Sequence, residues 1–105
     1  MARPTLSTHV LDTGLGRPAA GVPVEVFRGD ELVARGRTDG DGRIKDLAIG
    51  GLPAGTYRMV FDLAAQGASA FYRRVAFDVE LEEDGGHYHI PLLISPYGCV
   101  SYRGS

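Results

Sequence analysis

The sequence predicts an all-β fold of about eight short strands with one short helix. Fifteen glycines and six prolines divide the 105 residues into short segments. Within most of these segments apolar and polar residues alternate, which is typical of a strand with one buried face. Short strands at this even spacing, separated by turn signals, indicate an antiparallel sandwich or barrel.

Four strand candidates occupy the first half of the chain. In the first of them Leu6 and Val10 share one face, whereas Ser7 and His9 lie on the other. The second and third flank a Gly-Asp turn signal at residues 29–30, which predicts a hairpin. The four candidates are residues 5–11, 22–28, 32–38 and a short one at 43–47, with a loop over 14–21 and an Asp-Gly-Asp-Gly turn over 39–42.

The second half contains four further strand candidates and the one segment that resembles a helix, residues 63–70, which includes Gly67. The alternation is clearest in residues 74–82, where Val75, Phe77, Val79 and Leu81 share one face. The candidates are residues 56–63, 74–82, 87–94 and 98–103.

Composition restricts the classes of function. The formal net charge is −2 with both signs interspersed, which argues against nucleic acid and against a membrane surface as partners. No apolar run reaches the roughly 18 residues of a spanning helix. The first ten residues lack a signal-peptide segment and the single Cys99 cannot form an internal disulfide, so we expect a cytoplasmic protein. The length predicts one domain over residues 1–105.

Two histidines lie on one face of the strand candidate 87–94. If Tyr88 and the alternate residues after it face the core, His87 and His89 lie together on the opposite face. Such a pair suits zinc or copper when a third ligand is present, and the candidates for it are His9, Cys99 and an acidic side chain. A solvated strand face and general acid-base catalysis are the alternatives.

The other candidate residues are less specific when taken one at a time. His9 lies on a polar strand face and gains interest only if its strand neighbours the histidine strand. Arg43 follows the 39–42 turn, where a guanidinium is either solvated or a donor fork for a carbonyl-rich ligand. Arg103 and Ser105 end the chain. No Gly-x-Ser-x-Gly elbow or Ser-His-Asp framework occurs, and nothing beside Cys99 indicates a reactive thiol.

Three segments carry a resemblance to a known family: LSTHVLDTGLGRPAAGVPVEVF, TDGDGRI and HYHIPLLISPYGCVSYRGS. They resemble the transthyretin-like proteins, specifically the 5-hydroxyisourate hydrolases, nearly end to end. The terminal Tyr-Arg-Gly-Ser is the hallmark that distinguishes these enzymes from the hormone-carrying transthyretins. Residues 64–74 depart most from the family pattern, which affects packing or a dimer edge rather than the proposed site.

The resemblance implies a two-sheet sandwich of eight strands with one short helix. It also implies a homotetramer, a dimer of dimers around a central channel, that hydrolyses 5-hydroxyisourate to 2-oxo-4-hydroxy-4-carboxy-5-ureidoimidazoline without a cofactor or a metal. The residues it implies as catalytic are His9, Arg43, His89 and Ser105, and those it implies as substrate-binding are Arg43, Tyr102, Arg103, Gly104 and Ser105. It assigns no chemistry to His87.

Two other functions are compatible with the same fold. A carrier would bind an aromatic ligand in the channel without turning it over, and the histidines and the Tyr-Arg-Gly-Ser end count against it. A structural sandwich module would lack such a polar cluster.

Overall fold

The protein forms two β-sheets packed against each other in a computed structural model that describes residues 3–65, 67 and 69–105. No helix occurs in these residues, and so none that could cross a membrane. The strands are β1 (Thr5–Asp12), β2 (Arg17–Pro18), β3 (Pro23–Arg28), β4 (Glu31–Arg37), β5 (Arg43–Ile44), β6 (Gly55–Asp62), β7 (Arg74–Leu81), β8 (His87–Ser95) and β9 (Gly98–Ser101).

The first sheet has the order β2-β1-β8-β9, with β5 also paired to β1, and the second has the order β4-β3-β6-β7. Every pairing is antiparallel except that of β1 with β8, which is parallel. The two-sheet sandwich is as expected, but the expectation of antiparallel pairing is wrong at this one pair. Its two strands come from opposite ends of the chain, and no hairpin turn fixes their relative direction.

The core lies between the two sheets and follows the predicted alternation. Along β8, Tyr88, Ile90, Leu92 and Ile94 are buried, whereas His87 is exposed and His89 is half-buried. The second sheet contributes its own alternate residues, among them Val24, Val26, Met59 and Phe61. Both histidines of β8 thus lie on the outer face of the first sheet.

Two local features differ from the sequence prediction. The loop predicted over residues 14–21 contains β2, whose two residues are too few to show an alternation. The segment 63–70 makes turns at Ala64, Ala65 and Gly67 rather than a helix, while Gln66 and Ala68 lie outside the described residues. The amide of Gly67 donates to the carbonyl of Leu63 as in one helical turn, and the positive φ of Gly67, 78°, ends that turn.

Replacing a core leucine should cost far more stability than replacing an exposed one. Leu92 is 0% exposed in β8, and Leu32 is 41% exposed in β4. We expect Leu92→Ala to lower the free energy of unfolding by about 2–5 kcal/mol, because it leaves a cavity between the sheets. Leu32→Ala is the matched control and should cost less than about 1 kcal/mol. Urea titrations at equal protein concentration measure both, and equal losses would contradict this assignment of the core.

Candidate active site

Strand β1 brings three of the predicted site residues together. Its parallel pairing with β8 places Ser7 beside His89, and its antiparallel pairing with β5 places His9 beside Arg43. Because neighbours across a sheet project to the same face, their side chains share the outer surface of the first sheet. The condition that made His9 a candidate, adjacency of its strand to the histidine strand, is therefore met.

The turn before Arg43 is held by the carboxylate of Asp39. One oxygen of this group, Oδ1, accepts hydrogen bonds from the amides of Asp41 and Arg43, both at 2.9 Å. The bond from the Arg43 amide is the main reason why the pKa of Asp39 is lowered, and the amide of Asp41 and the charges of Lys45 and Arg43 act in the same direction. This turn fixes where β5 begins.

Gly42 allows the same turn to approach β1. Its φ is 74°, and a Cβ atom built there would lie 2.4 Å from the carbonyl oxygen of Val10. The amide of Val10 in turn donates to the carbonyl of Gly42 at 2.7 Å. Only glycine combines this conformation with this contact, so the residue before Arg43 sets the distance from Arg43 to His9.

His9 is oriented by the backbone of this turn. Its Nε2 donates to the carbonyl oxygen of Asp41 at 2.9 Å. Because a carbonyl can only accept, the proton of a neutral His9 lies on Nε2 and its Nδ1 carries a lone pair. The described residues offer the Arg43 guanidinium no hydrogen bond or ion pair, so its donors are available to a ligand.

His89 is held on two sides. Its Nδ1 is hydrogen-bonded to the hydroxyl of Ser7 at 2.7 Å, and the amide of Gly104 donates to its carbonyl at 2.6 Å. A Cβ atom at Gly104 would lie 2.8 Å from Cδ2 of the His89 ring, so the chain end packs directly on the imidazole. The remaining nitrogen, Nε2, has no hydrogen-bond partner within the described part of the chain.

Arg43 and His89 line a cavity of about 180 Å³, whereas His9 lies next to Arg43 and is not among the lining residues. The cavity is lined by Ser7, Thr8, Arg43, Ile44, Lys45, His87 and His89. A larger hollow of about 690 Å³ lies on the second sheet, beside Glu25, Arg35 and Arg74, and no histidine lines it. The smaller cavity is the candidate active site because titratable and cationic groups converge there.

Ser7 and Lys45 were missed as site residues by the sequence reasoning. Ser7 had been placed on the polar face beside His9, but only the register between β1 and β8 shows that it contacts both histidines of β8. Lys45 lies two residues after Arg43, which is the spacing that returns to the same face of a strand.

The residues at the chain end contact two different parts of the molecule. Gly104 contacts His89, whereas Arg103 places its guanidinium 4.0 Å from the centroid of the Tyr88 ring and donates to the carbonyl of Gly85 at 3.3 Å. Tyr102 and Arg103 line a separate hollow of about 360 Å³ together with β7 residues. The structure therefore does not bring these two side chains to the cavity within one chain, and the substrate-binding roles of residues 102–105 stay predictions.

Cys99 lies apart from the histidines. It pairs with Ile94 on the inward side of the sheet and packs against the core, which is the small apolar role expected for it. Among residues 3–65, 67 and 69–105 no group of three or more His, Cys, Asp or Glu side chains is arranged to hold a metal ion.

The surroundings of His89 favour its neutral form. Burial lowers the pKa of its imidazole, and the charge of Arg43 and the neighbouring rings of His9 and His87 lower it further. A neutral imidazole with a free Nε2 lone pair is suited to accept a proton near neutral pH.

Comparisons with known proteins agree with this description. The model of the HIUase/Transthyretin family matches residues 6–104. The 5-hydroxyisourate hydrolase 2 of Rhizobium meliloti (strain 1021) is 40% identical over 114 residues, covering 95% of each chain. The solved structure of Klebsiella pneumoniae 5-hydroxyisourate hydrolase has a TM-score of 0.87 at 38% identity and covers 100% of both chains. Sea bream transthyretin in complex with thyroxine has a TM-score of 0.82 at 31% identity and covers 94% of this chain and 93% of its own.

The two-sheet sandwich is thus shared with a 5-hydroxyisourate hydrolase and with a transthyretin solved in complex with thyroxine. The protein belongs to the HIUase/Transthyretin family. The transthyretin-like sandwich that the resemblance implied is confirmed.

Removing the charge of Arg43 should raise the pKa of His89. In the wild-type protein the pKa of His89 lies below the ordinary 6.5. As the pH falls, the unfolded chain therefore takes up the proton before the folded protein does, and the free energy of unfolding decreases between the unfolded and the folded pKa. Arg43→Gln should move the pKa towards 6.5 without reaching it, because burial remains. NMR titration of the His89 ring protons measures the shift. Arg35→Gln, on the second sheet, should leave the pKa unchanged, and an unchanged value in Arg43→Gln would contradict the stated cause.

Proposed function

We propose that this protein hydrolyses 5-hydroxyisourate to 2-oxo-4-hydroxy-4-carboxy-5-ureidoimidazoline. The observation that carries the proposal is the convergence of His89, Arg43 and Ser7 on one cavity, with His9 paired directly to Arg43. The full-length similarity to relatives named 5-hydroxyisourate hydrolase supports the same reaction. The substrate is a carbonyl-rich ring, and the reaction opens a cyclic amide with water.

His89 acts as the general base in this proposal. Its Nε2 takes a proton from water while the water oxygen attacks the amide carbonyl carbon, and the resulting imidazolium returns that proton to the leaving nitrogen as the C–N bond breaks. His9 carries its lone pair on Nδ1 and accepts a hydrogen bond from the same water, which orients it. The assignment for His9 follows from the carbonyl of Asp41 on its Nε2, whereas that for His89 requires its proton to lie on Nδ1, beside the hydroxyl of Ser7.

Arg43 and Lys45 supply positive charge where negative charge develops. Both line the cavity, and the guanidinium of Arg43 can donate two parallel hydrogen bonds to adjacent carbonyl oxygens. Donors fixed before the reaction stabilise the tetrahedral oxyanion without reorganising. We propose that Ser105, which follows Gly104 against His89, adds a hydroxyl to the same pocket. Water, imidazole and these cations suffice for the reaction, so we expect it to need no cofactor.

The working form in our proposal is a homotetramer. Leu11 of β1, Leu93 of β8 and Val100 of β9 form a row across the outer face of the first sheet, and Val100 is 60% exposed. Apolar side chains on the same face as the catalytic residues favour the approach of a second sheet. Two facing sheets would form a channel and exclude bulk water from the histidines. The single cysteine supports action in the reducing cytoplasm.

Activity on freshly made 5-hydroxyisourate tests the proposed function. Urate is oxidised with a urate oxidase, the protein is added with a chelator present, and the ultraviolet decay is compared with the spontaneous rate. The wild-type protein should accelerate the decay, and His89→Ala should lower the rate by about 10²–10⁴-fold. Arg43→Ala should impair both kcat and KM, whereas Arg35→Ala, the matched control on the other sheet, should not.

Three results would contradict parts of this scheme. No acceleration by the folded wild-type protein would favour the carrier function, and binding of an aromatic ligand would then be measured by calorimetry. A wild-type rate in His89→Ala would remove the proposed base. Loss of activity with chelator, restored by zinc, would favour a metal-dependent reaction.

The assembly is tested by mass in solution. We expect a species of four chains of 11.2 kDa each in light scattering. Val100→Asp should reduce this mass, because a carboxylate on the apolar row would be desolvated between facing sheets. Leu32→Asp, an equal change at an exposed position of the second sheet, is the control and should leave the mass unchanged. A wild-type monomer would refute the assembly.

A further inference from the structure

A continuous row of hydrogen bonds runs behind His89. The hydroxyl of Thr5 is bonded to Nδ1 of His87, Nε2 of His87 is bonded to the hydroxyl of Ser7, and that hydroxyl is bonded to Nδ1 of His89. Each of the three distances is 2.7 Å. The parallel register creates the row, since it places Thr5 beside His87 and Ser7 beside His89.

The proton of Ser7 couples the tautomers of the two histidines. A hydroxyl has one proton to donate, and Ser7 is 7% exposed with these two rings as the partners of its oxygen in the described structure. Ser7 must therefore donate to one ring and accept from the other when both are neutral. If it donates to His89, the proton of His89 lies on Nε2. If it donates to His87, His89 is protonated on Nδ1 and its Nε2 is a lone pair.

The charges of the cavity select the second arrangement. Nδ1 of His89 is occupied by Ser7 and the Cδ2 edge of the ring is packed on Gly104, so Nε2 lies on the remaining free edge. Arg43 and Lys45 line the cavity beside this ring. The charge of Arg43 acts on this ring, and a positive charge favours a lone pair over an N–H group on the edge that faces the cavity. The proton of His87 then lies on its Nδ1 and is donated to Thr5.

We infer that Ser7 and His87 are positioning residues that hold His89 in the tautomer with a bare Nε2. The inference rests on the proposed hydrolysis, in which that lone pair accepts the proton of water. It gives a function to His87, the histidine to which the family resemblance assigned no chemistry. Ser7 and His87 act through His89 and take no part in bond making.

The test combines a tautomer measurement with kinetics. Long-range ¹H–¹⁵N NMR spectra, recorded at a pH where the rings are neutral, distinguish a protonated Nδ1 from a protonated Nε2 without any substrate. The wild-type protein should show His89 protonated on Nδ1. Ser7→Ala should shift it towards Nε2–H and lower kcat by about 10-fold or more, within the 10²–10⁴-fold lost with the base itself. Ser7→Thr retains the hydroxyl and should restore both readouts.

Two further variants sharpen the interpretation. Ser101→Ala removes a hydroxyl from the same sheet, one that donates to the carbonyl of Pro91, and should change neither the tautomer nor kcat. His87→Phe removes the acceptor for the proton of Ser7, so Ser7 can turn that proton towards His89. We expect the same direction of change as in Ser7→Ala, with KM altered less than kcat.

Failure of the inference can be distinguished from failure of the proposed function. An active enzyme whose Ser7→Ala variant keeps the wild-type tautomer and kcat would overturn the inference alone. A lower kcat with an unchanged tautomer would also overturn it, because Ser7 would then act on the substrate directly. If the wild-type protein does not accelerate the decay, the proposed function fails, and a His89 found protonated on Nε2 would refute the tautomer assignment independently.

Discussion

The parallel pairing of β1 with β8 is the constraint on which the rest of the site depends. It joins the two ends of the chain through the centre of the first sheet and sets which side chains stand beside each other. A slip of one residue would turn Ser7 towards the core and Thr8 towards the surface, and every contact to the histidines would be lost. The buried Leu6, Val10, Leu92 and Ile94 prevent that slip, so the packing of the core also fixes the geometry of the outer face.

Two glycines fix the geometry of the outer face, as the buried apolar residues fix that of the inner face. Gly42 lets the turn before Arg43 approach β1, and Gly104 lets the chain end pack on the ring of His89. Either contact would be blocked by a single methyl group. At Gly104 the ring of His89 would have to shift, and this would disturb its hydrogen bond to Ser7. The precision of the site therefore comes from backbone held close to side chains, because few of its groups are buried deeply enough to be fixed by packing.

Alternation along single strands was sufficient to predict the core and the outward direction of His87 and His89. It could not predict the partner of each strand, so the parallel pair was missed, and with it the roles of Ser7 and Lys45. That His9 and Arg43 belong to one site was implied by the family resemblance rather than by any pattern within β1 or β5. Pairing is a property of two distant segments, and a period measured in one segment carries no information about it. The paths of Tyr102 and Arg103 were inaccessible for the same reason.

The similarity to sea bream transthyretin separates what the fold requires from what the chemistry requires. A TM-score of 0.82 at 31% identity means that the sandwich persists while most side chains change. Residues between the sheets are constrained by close packing, whereas outer-face residues must satisfy only the strand period and solvation. That freedom allows one scaffold to present either a surface for binding a ligand or a cluster of imidazoles and cations. In this chain the outer face carries three histidines, Arg43 and Lys45 around β1, so its function resides in that face rather than in the fold.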